Sequence, residues 1–372
     1  MRIAFNALFL QRSNTGSGQY ARHLLPALRS VAPELDITLL GAPPPFAERG
    51  LLAPQAGSRS ENVTKVLWEQ VAAPLLAARL GADLLHVPYW APPLVSAIPV
   101  VTTIHDVIPA LLPEYAGGSL IQAYTRLVRL AARRSRRVLV DSECSARDLI
   151  RLLGIPAAHV DVVPLAADPS LQPLPQALAR QECQRRWGLD GPFLLYAGGN
   201  DIRKNVPALL HAWSMTAPRL PGHSFVLAGS TPSRPPFFPD LRSMASELRL
   251  PRLRFLGDWR DDDKRLLLAA CDAFCWPSRY EGFGLPPLEA MQVGAPVICS
   301  NASSMPEVVG DAVRLFDPDD ISGLVAAMVA IGIDPEMRRD LRERGLARAA
   351  AFTWERTAVL TIASYRQALG RP

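Results

Sequence analysis

Cysteine is scarce. The chain has five in 372 residues, Cys144, Cys183, Cys271, Cys275 and Cys299, at spacings that fit neither a disulfide framework nor a zinc site. They are expected to be buried thiols in a reducing cytoplasm. No uninterrupted apolar stretch reaches the ~18 residues that a membrane span needs. The apolar run at the N-terminus gives way at once to Gln11-Arg12-Ser13-Asn14 with no small-residue cleavage pattern, so it is expected to be a first strand and not a signal peptide. Short-period repeats and low-complexity tracts are missing too. The formal charge is only +5 and is carried by arginine far more than lysine. A balance of that size suits an anionic small ligand or an anionic membrane surface and gives no argument for nucleic acid.

What is present is enough apolar sequence for two cores. Hydrophobic residues make up 49% of the chain and charged residues 20%, near the globular average, and the length suits two domains. Short runs rich in β-branched residues alternate with segments of helical length. Strands are expected at Arg2–Phe5, Ile37–Leu40, Leu84–His86, Val100–Ile104, Arg137–Val140, Phe193–Ala197, Ser224–Ala228, Leu253–Leu256, Ala273–Trp276 and Pro296–Cys299. That alternation predicts an α/β fold built from βαβ units with parallel sheets. Pro164, Pro169, Pro173 and Pro175 interrupt any periodicity before Phe193, where a second Rossmann-like unit is expected to begin. The Pro-rich stretch Thr231–Pro239 reads as a surface excursion within that unit.

The segment from Glu281 to Glu289 carries the most chemistry. The strand Ala273–Trp276 runs into a loop holding Gly282 and Gly284, and Pro286 and Pro287 mark a helix start. Glycines let a ligand approach the backbone, and the free amides and dipole of a helix N-terminus favour a phosphate. Glu289, expected in the first helical turn, is placed to accept from a ribose diol. Glu281, on the loop, can be aimed at a sugar or at the first phosphate. Each glutamate alone has an ordinary explanation, as a strand end or a complement to the helix dipole. The pair around two glycines favours a site.

This segment resembles the E-x7-E signature of family 4 retaining glycosyltransferases. The likeness continues through Gly294-Ala295-Pro296-Val297-Ile298, Pro306-Glu307-Val308-Val309-Gly310, Arg203-Lys204-Asn205, Thr103-Ile104-His105-Asp106, Val140-Asp141-Ser142 and Thr15-Gly16-Ser17-Gly18. The resemblance implies the GT-B architecture, two Rossmann-like domains facing across a cleft. Residues 1–170 would form an acceptor domain and 171–352 a nucleotide-sugar donor domain. Residues 353–372 would form a helix crossing back to the first domain, with Thr353 as its N-cap.

It also implies the roles of single residues. His105, Lys204 and Glu281 are the expected catalytic residues. The donor would be held by Gly16, Gly18, Arg203, Lys204, Trp259, Asp261, Glu281, Gly282, Phe283, Gly284, Leu285 and Glu289. Arg203 and Lys204 would neutralise the departing diphosphate, with Gly198-Gly199-Asn200 standing where many relatives carry an arginine. Asp261-Asp262-Asp263 is read as the acidic start of a helix at Lys264–Ala270 and not as a metal motif. No metal and no cofactor are predicted, the nucleotide-sugar being a substrate. The expected partners are that donor, with GDP-mannose preferred, and a hydroxyl acceptor that is a glycan, a lipid-linked glycan or a small molecule. An arginine-rich helix over Tyr124–Arg137 raises peripheral contact with an anionic membrane at its cytoplasmic face, against a plain solvated helix face. A sugar-nucleotide epimerase of the same architecture and a non-catalytic sugar-nucleotide-binding protein are the competing readings.

Overall fold

The structure, a computed structural model, describes residues 1–11, 15–41, 61–115, 117–257 and 261–371. The chain forms two compact units. One comprises residues up to Leu165 together with the C-terminal segment from Thr353, and the other runs from Ala166 to Phe352.

In the first unit β1 (Arg2–Asn6), β2 (Asp36–Leu40), β3 (Leu84–Val87), β4 (Val100–Thr103), β5 (Arg137–Val140) and β6 (Val160–Val162) make a parallel sheet in the order β2-β1-β3-β4-β5-β6. In the second, β7 (Phe193–Ala197), β8 (Ser224–Ala228), β9 (Leu253–Gly257), β10 (Ala273–Trp276), β11 (Val297–Ser300) and β12 (Arg314–Phe316) follow the order β12-β11-β10-β7-β8-β9. The central strands β3, β4, β10 and β11 are buried at every position. Helices cover both faces of such sheets, which is why these strands read as unbroken apolar runs rather than alternations.

Each sheet has one topological switch point. From β1 the chain moves to β2 on one side and returns to β3 on the other, and from β7 it moves to β8 and β9 and returns to β10. Open α/β sheets bind ligands outside the carboxyl ends of the strands at this reversal. The two places to inspect are therefore the ends of β1 and β3 and the ends of β7 and β10.

Several expectations need correction. The helix placed at Tyr124–Arg137 runs instead from Ser119 to Ala132. Past its end, Arg133 and Arg134 donate to the carbonyls of Gly154 and Leu94, and Arg137 opens β5 and pairs with Asp161. The run of arginines is thus not one continuous helical face. The helix after the Glu281 loop spans Leu285–Val293, which puts Glu289 in its second turn rather than its first. The aspartates before Lys264 belong to the helix, which spans Asp261–Ala270. Of the cysteines, Cys183, Cys271, Cys275 and Cys299 are buried free thiols, whereas Cys144 is only half-buried.

The last helix, Trp354–Ala368, lies on the first unit. Thr353 Oγ1 accepts from the Arg356 amide at 3.1 Å, and Thr357 donates to the Pro164 carbonyl at 2.7 Å. Tyr365 Oη contacts His86 Nδ1 at 2.6 Å, and His86 Nε2 contacts Thr103 Oγ1 at 3.0 Å. Burial drives the His86 pKa down to about 3, so this link operates with a neutral imidazole. No helix among the described residues is long and apolar enough to cross a membrane.

Candidate active site

At the switch point of the second unit, the turn after β7 meets the loop after β10. Ile202–Lys204 forms one turn of 3-10 helix, closed by Asn205 in the left-handed region at φ 54°. This turn brings two cations against one carboxylate. Arg203 Nη1 lies 2.7 Å from Glu281 Oε2 and Lys204 Nζ lies 2.7 Å from Glu281 Oε1. Arg203 also donates to the Tyr280 carbonyl at 2.7 Å, and the Lys204 ammonium sits 4.5 Å from the centre of the Trp276 ring. Burial disfavours the charged form of both partners, but with opposite outcomes. Lys204 and Arg203 outweigh it at Glu281, whose carboxyl pKa falls below the usual range. At Lys204 burial prevails over the attraction of Glu281, and its pKa is lowered. Asp201 Oδ1 lies 3.5 Å from Arg203 Nε as well, so the result is a half-buried cluster in which two cations are balanced by Glu281 and Asp201.

Hydroxyls hold the loop that carries Glu281. Its amide donates to Ser303 Oγ at 2.8 Å, and Ser304 Oγ donates to the carbonyls of Glu281 and Phe283 at 2.9 and 2.7 Å. Gly284 then adopts φ 115° at the helix N-cap, where a β-carbon would also strike the Met305 side chain. Glycine is required there on both counts. Gly282 is buried, and Phe283 packs edge-on against Phe352 with ring centres 5.8 Å apart. Leu285 opens the helix half-buried. Glu289 is 3% exposed and pairs with Lys264 of the helix Asp261–Ala270. Sequence reasoning missed Lys264, Ser303 and Ser304, because none lies within the motif that drew attention to the loop.

His105 stands just past the carboxyl end of β4 in the first unit. The aspartate next to it in the chain is not its hydrogen-bond partner. Asp106 Oδ1 accepts from the Ile108 amide at 3.0 Å, whereas His105 Nδ1 lies 2.8 Å from Asp141 Oδ2, just past β5. The Tyr20 ring packs edge-on against the imidazole, 4.9 Å between centres. Burial pushes the imidazole pKa down, but the Asp141 charge and hydrogen bond, helped by Asp106, leave it above the ordinary histidine value. A pKa raised by folding stabilises the protonated form of the native state. The contribution is complete below about pH 6.5 and disappears as the pH climbs through the raised native value. An NMR titration should place the His105 midpoint above about 6.5 and lower it in Asp141→Asn. A midpoint unmoved by that substitution would contradict the assignment.

The remaining expected positions divide. Thr15 caps the helix Gly16–Val31 by accepting from the Gly18 amide at 3.2 Å. That amide is therefore already engaged, and those of Gly16 and Ser17 are the ones that lack an intrahelical partner. Trp259 lies outside the described residues, and Asp261 is described only as the first residue of its helix. Asp263 is buried and pairs with Arg186 at 2.7 Å, a structural use of that carboxylate.

Two Rossmann-like sheets, one with paired cations at its switch point beside a helix N-terminus, are the parts of the GT-B fold. Residues 14–171 match the family model for Glycosyltransferase Family 4, and residues 180–348 match the one for Glycosyl transferases group 1. The chain belongs to glycosyltransferase family 4. It is 33% identical over 270 residues to O-antigen chain mannosyltransferase B of Escherichia coli, covering 72% of this chain and 70% of that one. It is also 29% identical over 334 residues to the serotype-specific mannosyltransferase WbdA of the same organism, covering 86% of this chain but 41% of WbdA. Among solved structures, a sucrose-phosphate synthase from Thermosynechococcus elongatus superposes with a TM-score of 0.75 at 24% identity, covering 99% of this chain and 98% of that one. The glycosyltransferase WaaG superposes with a TM-score of 0.70 at 16% identity, covering 98% of each chain.

Proposed function

We propose that this glycosyltransferase moves mannose from GDP-mannose, with retention at the anomeric carbon, onto a hydroxyl of a glycan or lipid-linked glycan. The observation that carries the donor site is the half-buried pair Arg203 and Lys204 at the β7/β10 switch point, next to the helix that starts at Leu285. In this reading the bond between the anomeric carbon and the phosphate oxygen breaks. The acceptor oxygen bonds to the same face, and the acceptor proton passes to the departing phosphate. Negative charge growing on that phosphate is met by Lys204, Arg203 and the helix N-terminus. No metal is assigned a part. Glu289 holds the ribose, which requires it to share or release Lys264. Glu281 fixes the two cations and faces the sugar, and His105, oriented by Asp141, is the proposed catalytic residue of the first unit.

The mannosyl assignment is supported by relatives named as mannosyltransferases, including an MMP alpha-(1->4)-mannosyltransferase of Mycolicibacterium hassiacum that is 27% identical over 301 residues. Because these relatives are named as transferases, the epimerase reading is not favoured. An approach to an anionic membrane would use Arg126 with the exposed Leu130 on the same side of the helix Ser119–Ala132. A ligand that favours the folded state raises the melting temperature. In a thermal-shift panel of GDP-, UDP-, ADP- and dTDP-sugars, GDP-mannose should produce the largest rise. A larger rise with a UDP-sugar would overturn the choice of donor.

A further inference from the structure

Only three of the chain's 40 basic residues are lysines: Lys65, Lys204 and Lys264. Among the described residues only three glutamates are buried: Glu69, Glu281 and Glu289. The two sets pair one to one, Lys65 with Glu69, Lys204 with Glu281 and Lys264 with Glu289. Two of these pairs make up the donor site proposed above. The third lies in the first unit, and no role assigned so far accounts for it.

Its surroundings are those of a ligand site. Glu69 sits on a single turn of π-helix, Trp68–Ala72, inserted between the helices Glu61–Leu67 and Ala73–Arg79. Such turns are uncommon and gather at functional sites. Asn6, the last residue of β1, and Tyr89, two residues past β3, lie beside it, so the cluster stands at the switch point of the first sheet. Trp68 Nε1 donates to Asn6 Oδ1 at 3.2 Å, and Asn6 Nδ2 donates to Tyr89 Oη at 2.8 Å. Tyr124 Oη donates to Glu69 Oε2 at 3.0 Å. Glu69 Oε1 is buried without a hydrogen bond among the described residues and faces the Lys65 ammonium at 3.5 Å. Burial raises the carboxyl pKa, and Lys65, Tyr124 and Tyr89 only partly oppose it. The Lys65 ammonium compensates the charge of that oxygen without a hydrogen bond to it, and a ligand hydroxyl would supply the hydrogen bond.

We propose that Glu69, with Lys65 and Tyr124, is a subsite for a sugar ring of the acceptor, a ring hydroxyl donating to Glu69 Oε1 as the lysine swings aside. Lys65 is the group that can move. Its side chain is 27% exposed, against 0% for Glu69, and its ammonium lies 5.7 Å from the Phe9 ring centre and 5.4 Å from that of Tyr124. Once the ammonium leaves, Phe9 and Tyr124 offer an apolar wall to the C–H face of a sugar, and the carboxylate takes its polar edge. The site lies at the same edge of the sheet as His105, because β3 and β4 are neighbours.

The inference rests on the glycosyltransferase reading, so its test separates the two. Octyl α-mannoside, octyl α-glucoside and octyl β-galactoside would be titrated by saturation-transfer NMR against the full chain, Glu69→Gln and Lys204→Ala, with GDP binding measured on each. At least one glycoside should bind the wild type. Its affinity should fall about tenfold in Glu69→Gln, the scale of one hydrogen bond to a charged group, and survive in Lys204→Ala. GDP affinity should show the reverse pattern. An unchanged circular dichroism spectrum and unchanged GDP affinity in Glu69→Gln exclude loss of fold as the cause. Glycoside binding indifferent to Glu69, or no binding by any of the three, overturns the subsite. Loss of GDP binding by the wild type would instead sink the donor reading.

Discussion

Replacing Lys204 by alanine should lower kcat about 10²–10³-fold, the usual consequence of removing one preorganised group that meets developing negative charge. The reason is location more than charge. Arginine dominates the basic residues of this chain, yet Lys204 is half-buried and locked to Glu281 at 2.7 Å, its ammonium over the Trp276 ring. An ammonium held in that place needs no reorganisation when the diphosphate begins to leave. Arg203, on the other oxygen of Glu281, would remain and limit the loss. Steady-state turnover of the sugar nucleotide with a saturating acceptor measures the effect. Turnover near that of the wild type would remove Lys204 from the reaction.

Glu281→Gln should act on stability and catalysis together. The buried carboxylate is the shared partner of two half-buried cations, and breaking a buried pair by removing one side costs about 3–5 kcal/mol, an upper bound here because Arg203 keeps Asp201. Denaturant unfolding should show a loss up to that size in the second unit. Turnover should also fall by about 10², since the carboxylate no longer fixes the cations or faces the sugar. Binding of the bare nucleotide should move the other way. In the wild type the diphosphate competes with Glu281 for Arg203 and Lys204, and in the variant that competition is gone, Arg203 keeping only Asp201 as its carboxylate partner. A variant that loses stability and nucleotide affinity together would show that Glu281 serves only to hold the fold.

The strands that build the two cores were legible because each is a run of β-branched and aromatic residues bounded by turn residues. Arg137–Val140, Phe193–Ala197, Ser224–Ala228 and Ala273–Trp276 fall where the sequence puts them. The two strands missed, Val160–Val162 and Arg314–Phe316, are three-residue edge strands. One is half-buried throughout and the other has two exposed residues, so neither leaves an apolar signature. The helix around Tyr124 was carried too far because basic residues continue past Ala132 in a turn and a strand.

The candidate site was legible as a motif and not as a network. Glu281 and Glu289 stood out through the glycines and prolines around them. Their partners Lys204 and Lys264 lie 77 and 25 positions away in the chain, and only the crossing of β7 and β10 brings the first pair together. His105 had a tempting neighbour in Asp106, but local geometry turns that carboxylate to a backbone amide and the sheet supplies Asp141. Glu69 left no trace at all. A glutamate in a helical segment ordinarily faces solvent, and it is the π-helical turn that accompanies its burial here.

The central claim is that the donor's diphosphate is bound by Arg203 and Lys204 at the switch point of the second sheet. Calorimetric titration of GDP into the wild type, Lys204→Ala and Glu281→Gln tests it most directly. The account predicts affinity weakest in Lys204→Ala, intermediate in the wild type and strongest in Glu281→Gln. Equal affinity in all three would place the nucleotide somewhere else and contradict it.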